Sequence, residues 1–415
     1  MDEFVIDGGR RLRGTTRING SKNAGLPILI ATLLTDDPCI IDNVPRLRDI
    51  RTTVRLLETL GKKVVWSKKK VTITHAKQLS THAPYDIVKQ MRASILVAGP
   101  LLARFNKVRV SLPGGCAIGL RPVDIHVVGL EAMGAKSTTT EGDIVLNGQL
   151  KPSKVKFRFP SVGATENIMM AAAAIEGKTV ITNAAREPEI EDLADFLNSL
   201  GARVTGAGSS KITVEGKQKL HGAKHKVIAD RIETGTLLLA VAAAGGDVIL
   251  KDARTEHLTA LIKALKKAGA KITPTKNGLR VQASGRPKAV SVTTEPHPGF
   301  PTDVQAPYMA YMSIAKGEAR IREAIFERRF LHAAELARMG ARVAVSGDAA
   351  FITGVENLSG AAVMASDIRA GAGLIVAALA AKGRTVIGRV YHIDRGYEQI
   401  EKVLRKLGAN IRRLR

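Results

Sequence analysis

The chain has 415 residues, 45% hydrophobic and 24% charged, the profile of a globular protein long enough for two cores. Two cysteines exclude a disulfide framework and suit a reducing cytoplasm; MDEFVIDGGRRLRG lacks the apolar stretch of a secretory signal, and no apolar run approaches the roughly 18 residues of a membrane span. The net charge of +25 favours anionic partners, but only 4% of residues are aromatic and none interleaves with a basic run, so nucleic acid is not the expected partner.

In chain order, nearly all-apolar helices are predicted at AGLPILIATLL (24–34), ASILVAGPLLA (93–103), TENIMMAAAAI (165–175), TGTLLLAVAAA (234–244), QAPYMAYMSIA (305–315) and AGAGLIVAALA (370–380). Helices without a polar face belong in an interior. Between them recurs a second signal, LETLG, LEAMG, LNSLG, LKKAG, LARMG and LRKLG, with glycines at 61, 134, 201, 269, 340 and 408. Each closes an amphipathic helix, as in Ile190, Leu193, Leu197, Leu200, and its glycine suits a left-handed C-terminal cap before a strand. The chain therefore reads as six copies of one strand-and-helix unit. The expected fold is α/β: two domains of three repeats, each wrapping sheets around buried helices. SKKK (67–70) reads as a solvated hairpin and Cys39 as a buried strand residue.

Charged and reactive residues gather at two equivalent places in each repeat, the start of the apolar helix and the loop after the following strand. Helix N-termini and loops are where unpaired N–H groups and side chains meet anions. At these places stand Lys22, Arg92, Arg121, Arg369 and Arg395, an anion clamp if gathered together and solvated surface cations if not. Asp303 and Asp367 stand at helix starts, where a carboxylate is either a cap or a general base. In SLPGGCAIGLRPVD, Cys116 lies among Gly114, Gly115 and Gly119 and near Arg121, a loop able to move and a cation able to tune the thiol; the alternative is a bystander surface cysteine. PGGCAIG lacks the Lys-Ser/Thr ending of a phosphate-binding P-loop. HGAKH spaces His221 and His225 four apart in a Gly/Lys loop without carboxylate or cysteine beside them, so no metal is expected.

Ten segments, among them INGSKNAGLPILIATLL, MRASILVAGPLLARF, SLPGGCAIGLRPVDIHVVGLEAMGA, FPSVGATENIMMAA, GFPTDVQAPYMA, SDIRAGAGLIVAAL and VYHIDRGYEQIEKVLRKLGA, resemble the UDP-N-acetylglucosamine 1-carboxyvinyltransferases, an enolpyruvyl transferase family. The likeness runs from about residue 4 to residue 412, and the Gly-Gly-Cys…Arg-Pro-Val-Asp loop sets it apart from the 3-phosphoshikimate 1-carboxyvinyltransferases.

The resemblance implies two inside-out α/β domains, residues 21–229 and residues 1–20 with 230–415, a double-crossover hinge near 20–22 and 228–231, and an active-site cleft between the domains. It implies a monomer acting on phosphoenolpyruvate and UDP-N-acetylglucosamine without cofactor or metal, releasing phosphate in the first committed step of peptidoglycan synthesis. Cys116 would donate a proton to the methylene carbon or form a covalent adduct, and would be the residue opened onto by the epoxide fosfomycin. Asp303 would take the proton of the attacking hydroxyl. Lys22, Asn23, Arg121 and Arg395 would hold phosphoenolpyruvate. Arg92, Arg121, Pro122, Val123, Asp124, Ile125, Ser161, Val162, Gly163, Asp303 and Ile325 would hold the sugar nucleotide, with Asp367 and Arg369 in support. Phe159 and Arg328 depart from the residues the family pattern leads one to expect. The competing readings are the phosphoshikimate transferase and a basic repeat scaffold that binds nucleic acid.

Overall fold

The structure, a computed structural model, describes residues 2–76, 78–111, 123–326 and 329–414. The six apolar segments form the helices Lys22–Ala31, Ala98–Phe105, Val162–Ala173, Arg231–Ala244, Gln305–Met312 and Ile368–Ala380, the second of them led in by a 3-10 turn over Arg92–Val97. They are interior elements. Leu29, Ile30, Leu239, Val241, Ile375 and Val376 are all completely buried. At roughly 1.5–3 kcal/mol for each large aliphatic side chain taken from water, these helices carry much of the folding drive.

The amphipathic segments form Arg48–Leu60, Asp124–Glu131, Pro188–Ser199, Thr259–Ala268, His332–Arg338 and Ile400–Lys406. All six repeat glycines just beyond them have positive φ, from 87° at Gly340 to 112° at Gly61. A side chain there would be strained, and the left-handed residue is what turns the chain from helix to strand.

Among the described residues six four-stranded sheets result, and all six share one pattern: an edge strand parallel to the second, which is antiparallel to the third, which is antiparallel to the fourth. In the repeat read from 154 to 216, the order is strand Lys154–Lys156, apolar helix, strand Gly177–Thr182, amphipathic helix, and the hairpin Arg203–Thr205 with Lys211–Gly216. The parallel pair is joined through the buried helix, as parallel strands require a crossover.

The described residues divide into two compact units, those within 20–111 and 123–228 and those within 2–19 and 229–414, each with three of the sheets and its own apolar core. Two strands are exchanged relative to chain order. Leu12–Arg17 precedes the first apolar helix but pairs parallel with Gly246–Lys251, and Lys224–Lys226 precedes the fourth but pairs parallel with Cys39–Asp42. Glu3–Asp7 completes the last sheet between Arg384–Gly388 and Asn410–Leu414. The chain thus passes from one unit to the other at 19–20 and again at 228–229. Ser21 N donates to the Ile228 carbonyl at 2.7 Å, and Asp230 N donates to the Asn19 carbonyl at 2.9 Å.

Buried helices leave their last carbonyls without partners, and cations supply them. Lys62 Nζ donates to the Thr35 carbonyl, at the end of the first apolar helix, and burial pushes its ammonium down to about 8. In the other unit, Arg286 donates to the carbonyls of Ile314 at 2.9 Å and Ala315 at 2.8 Å.

Cys39 is buried in its strand, and residues 67–70 form the turn between Lys62–Ser67 and Lys70–His75. The reading of HGAKH as a loop without a carboxylate needs correction. His225 lies on Lys224–Lys226, and its Nε2 meets Asp192 Oδ1 at 2.8 Å. The carboxylate comes from the helix Pro188–Ser199, 33 residues away, which spacing within a motif does not reveal. Among the described residues no helix is long and apolar enough to cross a membrane, and no group of three or more His, Cys, Asp or Glu is placed to hold a metal ion.

Candidate active site

In the unit of residues 20–228, the singled-out residues fall at starts of packed helices. Lys22 and Asn23 open Lys22–Ala31, whose cap is Ser21, with Oγ accepting from Ala24 N at 3.3 Å. Lys22 is buried, and its Nζ lies 3.4 Å from Asp49 Oδ2. Arg92 opens the 3-10 turn Arg92–Val97, which packs against both Lys22–Ala31 and Val162–Ala173. Val123, Asp124 and Ile125 open Asp124–Glu131, which also packs on Val162–Ala173. Ser161 caps that last helix, accepting from Ala164 N at 3.4 Å, with Val162 and Gly163 in its first turn. Helix starts carry unpaired N–H groups and partial positive charge, so this corner is suited to an anion. Asp124 also bonds the exposed Arg158 at 2.5 Å, while Phe159 is 40% exposed.

Two residues that sequence reasoning missed organise this corner. Asn167 Oδ1 accepts from Gly99 N at 2.7 Å and its Nδ2 donates to the Ile95 carbonyl at 3.3 Å, which fixes the amide orientation. The same Nδ2 therefore donates to His126 Nδ1 at 3.1 Å, and the ring proton sits on Nε2. Burial, and next the charge of Arg92, push the imidazole down to about 4, so it is neutral at physiological pH. It lies against Gly163, where an added Cβ would meet His126 Cε1 at 3.1 Å.

In the other unit, Asp303 sits in the 3-10 turn Thr302–Val304, which Pro301 opens without any side-chain cap bond. The capping alternative therefore fails for Asp303. Its Oδ1 instead receives Arg329 Nη2 at 2.7 Å and Arg369 Nε at 3.1 Å, and neither cation uses Oδ2. Burial opposes ionisation of Asp303, and the guanidiniums of Arg369 and Arg329 overcome it, holding the carboxyl well below the usual range. A quarter of the side chain, 24%, remains exposed.

Arg369 consequently is not the free clamp residue that its position suggests. It is buried, ion-paired with Asp303, and 3.4 Å from the Tyr397 hydroxyl, which meets Thr236 Oγ1 at 2.9 Å. Asp367 is a helix cap: its Oδ1 accepts from Arg369 N at 2.8 Å and Ala370 N at 3.0 Å, which sets the turn that carries Arg369. Arg395 ends the 3-10 segment Val390–Arg395, which packs on Ile368–Ala380. Ile325, half-buried, follows the strand Glu318–Arg322. Cys116, Arg121, Pro122 and Arg328 lie outside the described residues.

Arg329 and Tyr397 were not singled out by sequence reasoning. The only signal for Arg329 is its place in FERRF, three residues after Phe326, whose ring lies 5.1 Å beneath its guanidinium.

Residues 6–404 match the family model for EPSP synthase, 3-phosphoshikimate 1-carboxyvinyltransferase. Among curated relatives, the UDP-N-acetylglucosamine 1-carboxyvinyltransferase of Elusimicrobium minutum is 53% identical over 99% of this chain and 98% of its own. That of Solidesulfovibrio magneticus is 51% identical over all of both chains. The chain belongs to this enolpyruvyl transferase family.

Solved enolpyruvyl transferases share its fold. NikO from Streptomyces tendae superposes with a TM-score of 0.89 at 24% identity, over 99% of this chain and 98% of its own. EPSP synthase from Acinetobacter baumannii follows at 0.78 and 20%, over all of both chains. The α/β architecture expected from the repeats is therefore the architecture of the family.

Proposed function

We propose that this enolpyruvyl transferase moves the enolpyruvyl group of phosphoenolpyruvate onto the 3′-hydroxyl of UDP-N-acetylglucosamine, releasing phosphate and committing the sugar to peptidoglycan. The observation that carries this is identity above one half along whole chains with relatives of that name, against 20% with the EPSP synthase structure. The reading places the enzyme in the cytoplasm, as a monomer using neither metal nor cofactor, with residues 21–229 and residues 1–20 with 230–415 as its two catalytic domains.

Cys116 protonates the methylene carbon of phosphoenolpyruvate, leaving a cationic carbon that bears carboxylate and phosphate. Lys22, Asn23, Arg121 and Arg395 bind those two anionic groups, stabilising charge that fixed cations can meet without a metal. The 3′-hydroxyl oxygen bonds to that carbon, and its proton passes to Asp303. The carbon–oxygen bond to phosphate then breaks with its electron pair leaving on phosphate. A methyl proton returns to the Cys116 thiolate to restore the double bond and the thiol, and Asp303 gives up its proton to the released phosphate or to solvent. Arg92, Arg121, Pro122, Val123, Asp124, Ile125, Ser161, Val162 and Gly163 hold the diphosphate end, and Ile325 lies along the sugar nucleotide.

A carboxylate held ionised by two guanidiniums is a weak base, which at first argues against Asp303. The requirement is modest, because an alcohol oxygen that has bonded to a cationic carbon is a strong acid. Asp303 needs to be ionised, aimed and partly exposed, and its Oδ2 is engaged by neither arginine. The test is phosphate release with the two substrates together and singly, with shikimate 3-phosphate as the competing acceptor. Release only with phosphoenolpyruvate and UDP-N-acetylglucosamine together supports the reading, and turnover with shikimate 3-phosphate alone overturns it.

A further inference from the structure

Glu323 follows the strand Glu318–Arg322 and is 2% exposed, yet it touches no guanidinium or ammonium in any bond of the described residues. Four donors converge on it instead. Oε1 accepts from Thr294 Oγ1 at 2.8 Å, Ile325 N at 3.0 Å and Phe326 N at 3.1 Å. Oε2 accepts from Thr302 Oγ1 at 2.9 Å. A buried carboxylate bound in this way is a rigid anchor, since losing any partner would leave polar atoms unpaired away from water.

The Thr302 hydroxyl has one hydrogen, which it gives to Glu323, so it must accept the bond from Arg329 Nη1 at 2.7 Å. Arg329 gives its other terminal nitrogen to Asp303. Its Nε is buried without a hydrogen-bond partner among the described residues, so the orientation of the planar fork rests on Thr302, Asp303 and the Phe326 ring. One direction of donation thus runs from Arg329 through Thr302 to Glu323, while the other oxygen of Glu323 holds the backbone at Ile325.

We propose that Glu323 is a positioning residue for the acceptor sugar, tying the Ile325 loop to the general base Asp303 through Thr302 and Arg329. The inference rests on the transfer reaction proposed above. One oxygen sets the loop that lies along the sugar nucleotide; the other sets the fork that aims the carboxylate at its hydroxyl. Phosphoenolpyruvate binding does not pass through this chain of bonds.

The experiment measures kcat, and KM for each substrate, in the full-length wild type, Thr302→Val, Glu323→Gln and the double variant. Thr302→Val removes the relay hydroxyl at constant shape and leaves Glu323 its three Oε1 bonds. Glu323→Gln keeps an acceptor for those three bonds and replaces the acceptor facing Thr302 with a donor. Each single variant is expected to lower kcat by about tenfold while KM for phosphoenolpyruvate stays within about twofold, and the double variant is expected to lose no more than the worse single one. A purely structural role would instead lower the melting temperature and active fraction with kcat per active site unchanged. Unchanged kcat in Thr302→Val, additive losses, or an equal rise in KM for phosphoenolpyruvate overturns the inference alone. If Glu323→Gln does not fold, Thr302→Val decides. A wild type inactive with both substrates overturns the proposed reaction and this inference with it.

Discussion

Arg329 donates from Nη2 to Oδ1 of Asp303 at 2.7 Å, and the oxygen it binds is the one Arg369 also takes. Two cations on one oxygen leave the other face of the carboxylate unclaimed by either. The pair is therefore built for holding a carboxylate ionised and oriented, which is a different demand from making it strongly basic.

Asp303→Asn keeps the shape and one acceptor but cannot take a proton. We expect kcat to fall by roughly 10²–10⁴-fold, with KM for both substrates nearly unchanged. Steady-state kinetics on the purified variant check this. A variant with wild-type kcat would remove Asp303 from the proton transfer.

Cys116→Ala is expected to lose transfer at neutral pH by about 10²-fold or more, since no other proton donor is assigned to the methylene carbon. Fosfomycin should add once to the wild type and not at all to the variant, as read by intact mass. Cys39 is an internal control: burial pushes its thiol up, which keeps it from reacting. Adduct formation at Cys39 with Cys116 unmodified would contradict the assignment.

Gly163→Val places a branched side chain where a single Cβ already meets His126 Cε1 at 3.1 Å. The ring must move, and with it the helix starts around it. KM for UDP-N-acetylglucosamine is expected to rise by about tenfold, near 1.4 kcal/mol of binding, while KM for phosphoenolpyruvate holds. Equal effects on both constants would place Gly163 outside the sugar-nucleotide corner.

Stability should fall with acidification below pH 6.5. His126 and His332 are both buried and pushed down to about 4 by burial, with Arg92 and Arg329 respectively adding to it. Between 6.5 and 4 the unfolded chain binds more protons at these residues, so their contribution to stability is full above 6.5 and is lost as pH falls, roughly 1.4 kcal/mol per pH unit for each histidine. Glu166 acts in the opposite sense. Burial, then Glu189 and Glu187, raise its carboxyl well above the usual range, so the folded chain holds its proton where the unfolded chain has released it. Glu166 therefore offsets part of the histidine slope above about pH 4.5, the ordinary carboxyl range, and none of it below. Denaturant melts of wild type and His332→Gln across this range read the difference, and equal slopes would show that His332 does not contribute.

Periodicity was sufficient for the six apolar helices, the six amphipathic ones and their capping glycines, because helix burial and left-handed caps are local consequences of residue type. The shared four-strand pattern of the sheets then repeats because the units repeat. Helix-start positions were legible for the same reason, and Asp367 and Ser161 behave as caps must.

Partners distant in the chain were not legible. Asp303 meets Arg329 and Arg369 from 26 and 66 residues away, and Asn167 meets His126 from 41. The exchange of Leu12–Arg17 and Lys224–Lys226 between sheets likewise leaves no trace in either strand's own residues. Local spacing determined which elements form, since helices and turns depend on neighbours within a few residues. Whether a carboxylate would cap a helix or be gripped by two guanidiniums was decided only in the folded chain, because electrostatic and hydrogen-bonding environments are made by packing segments that the sequence keeps apart.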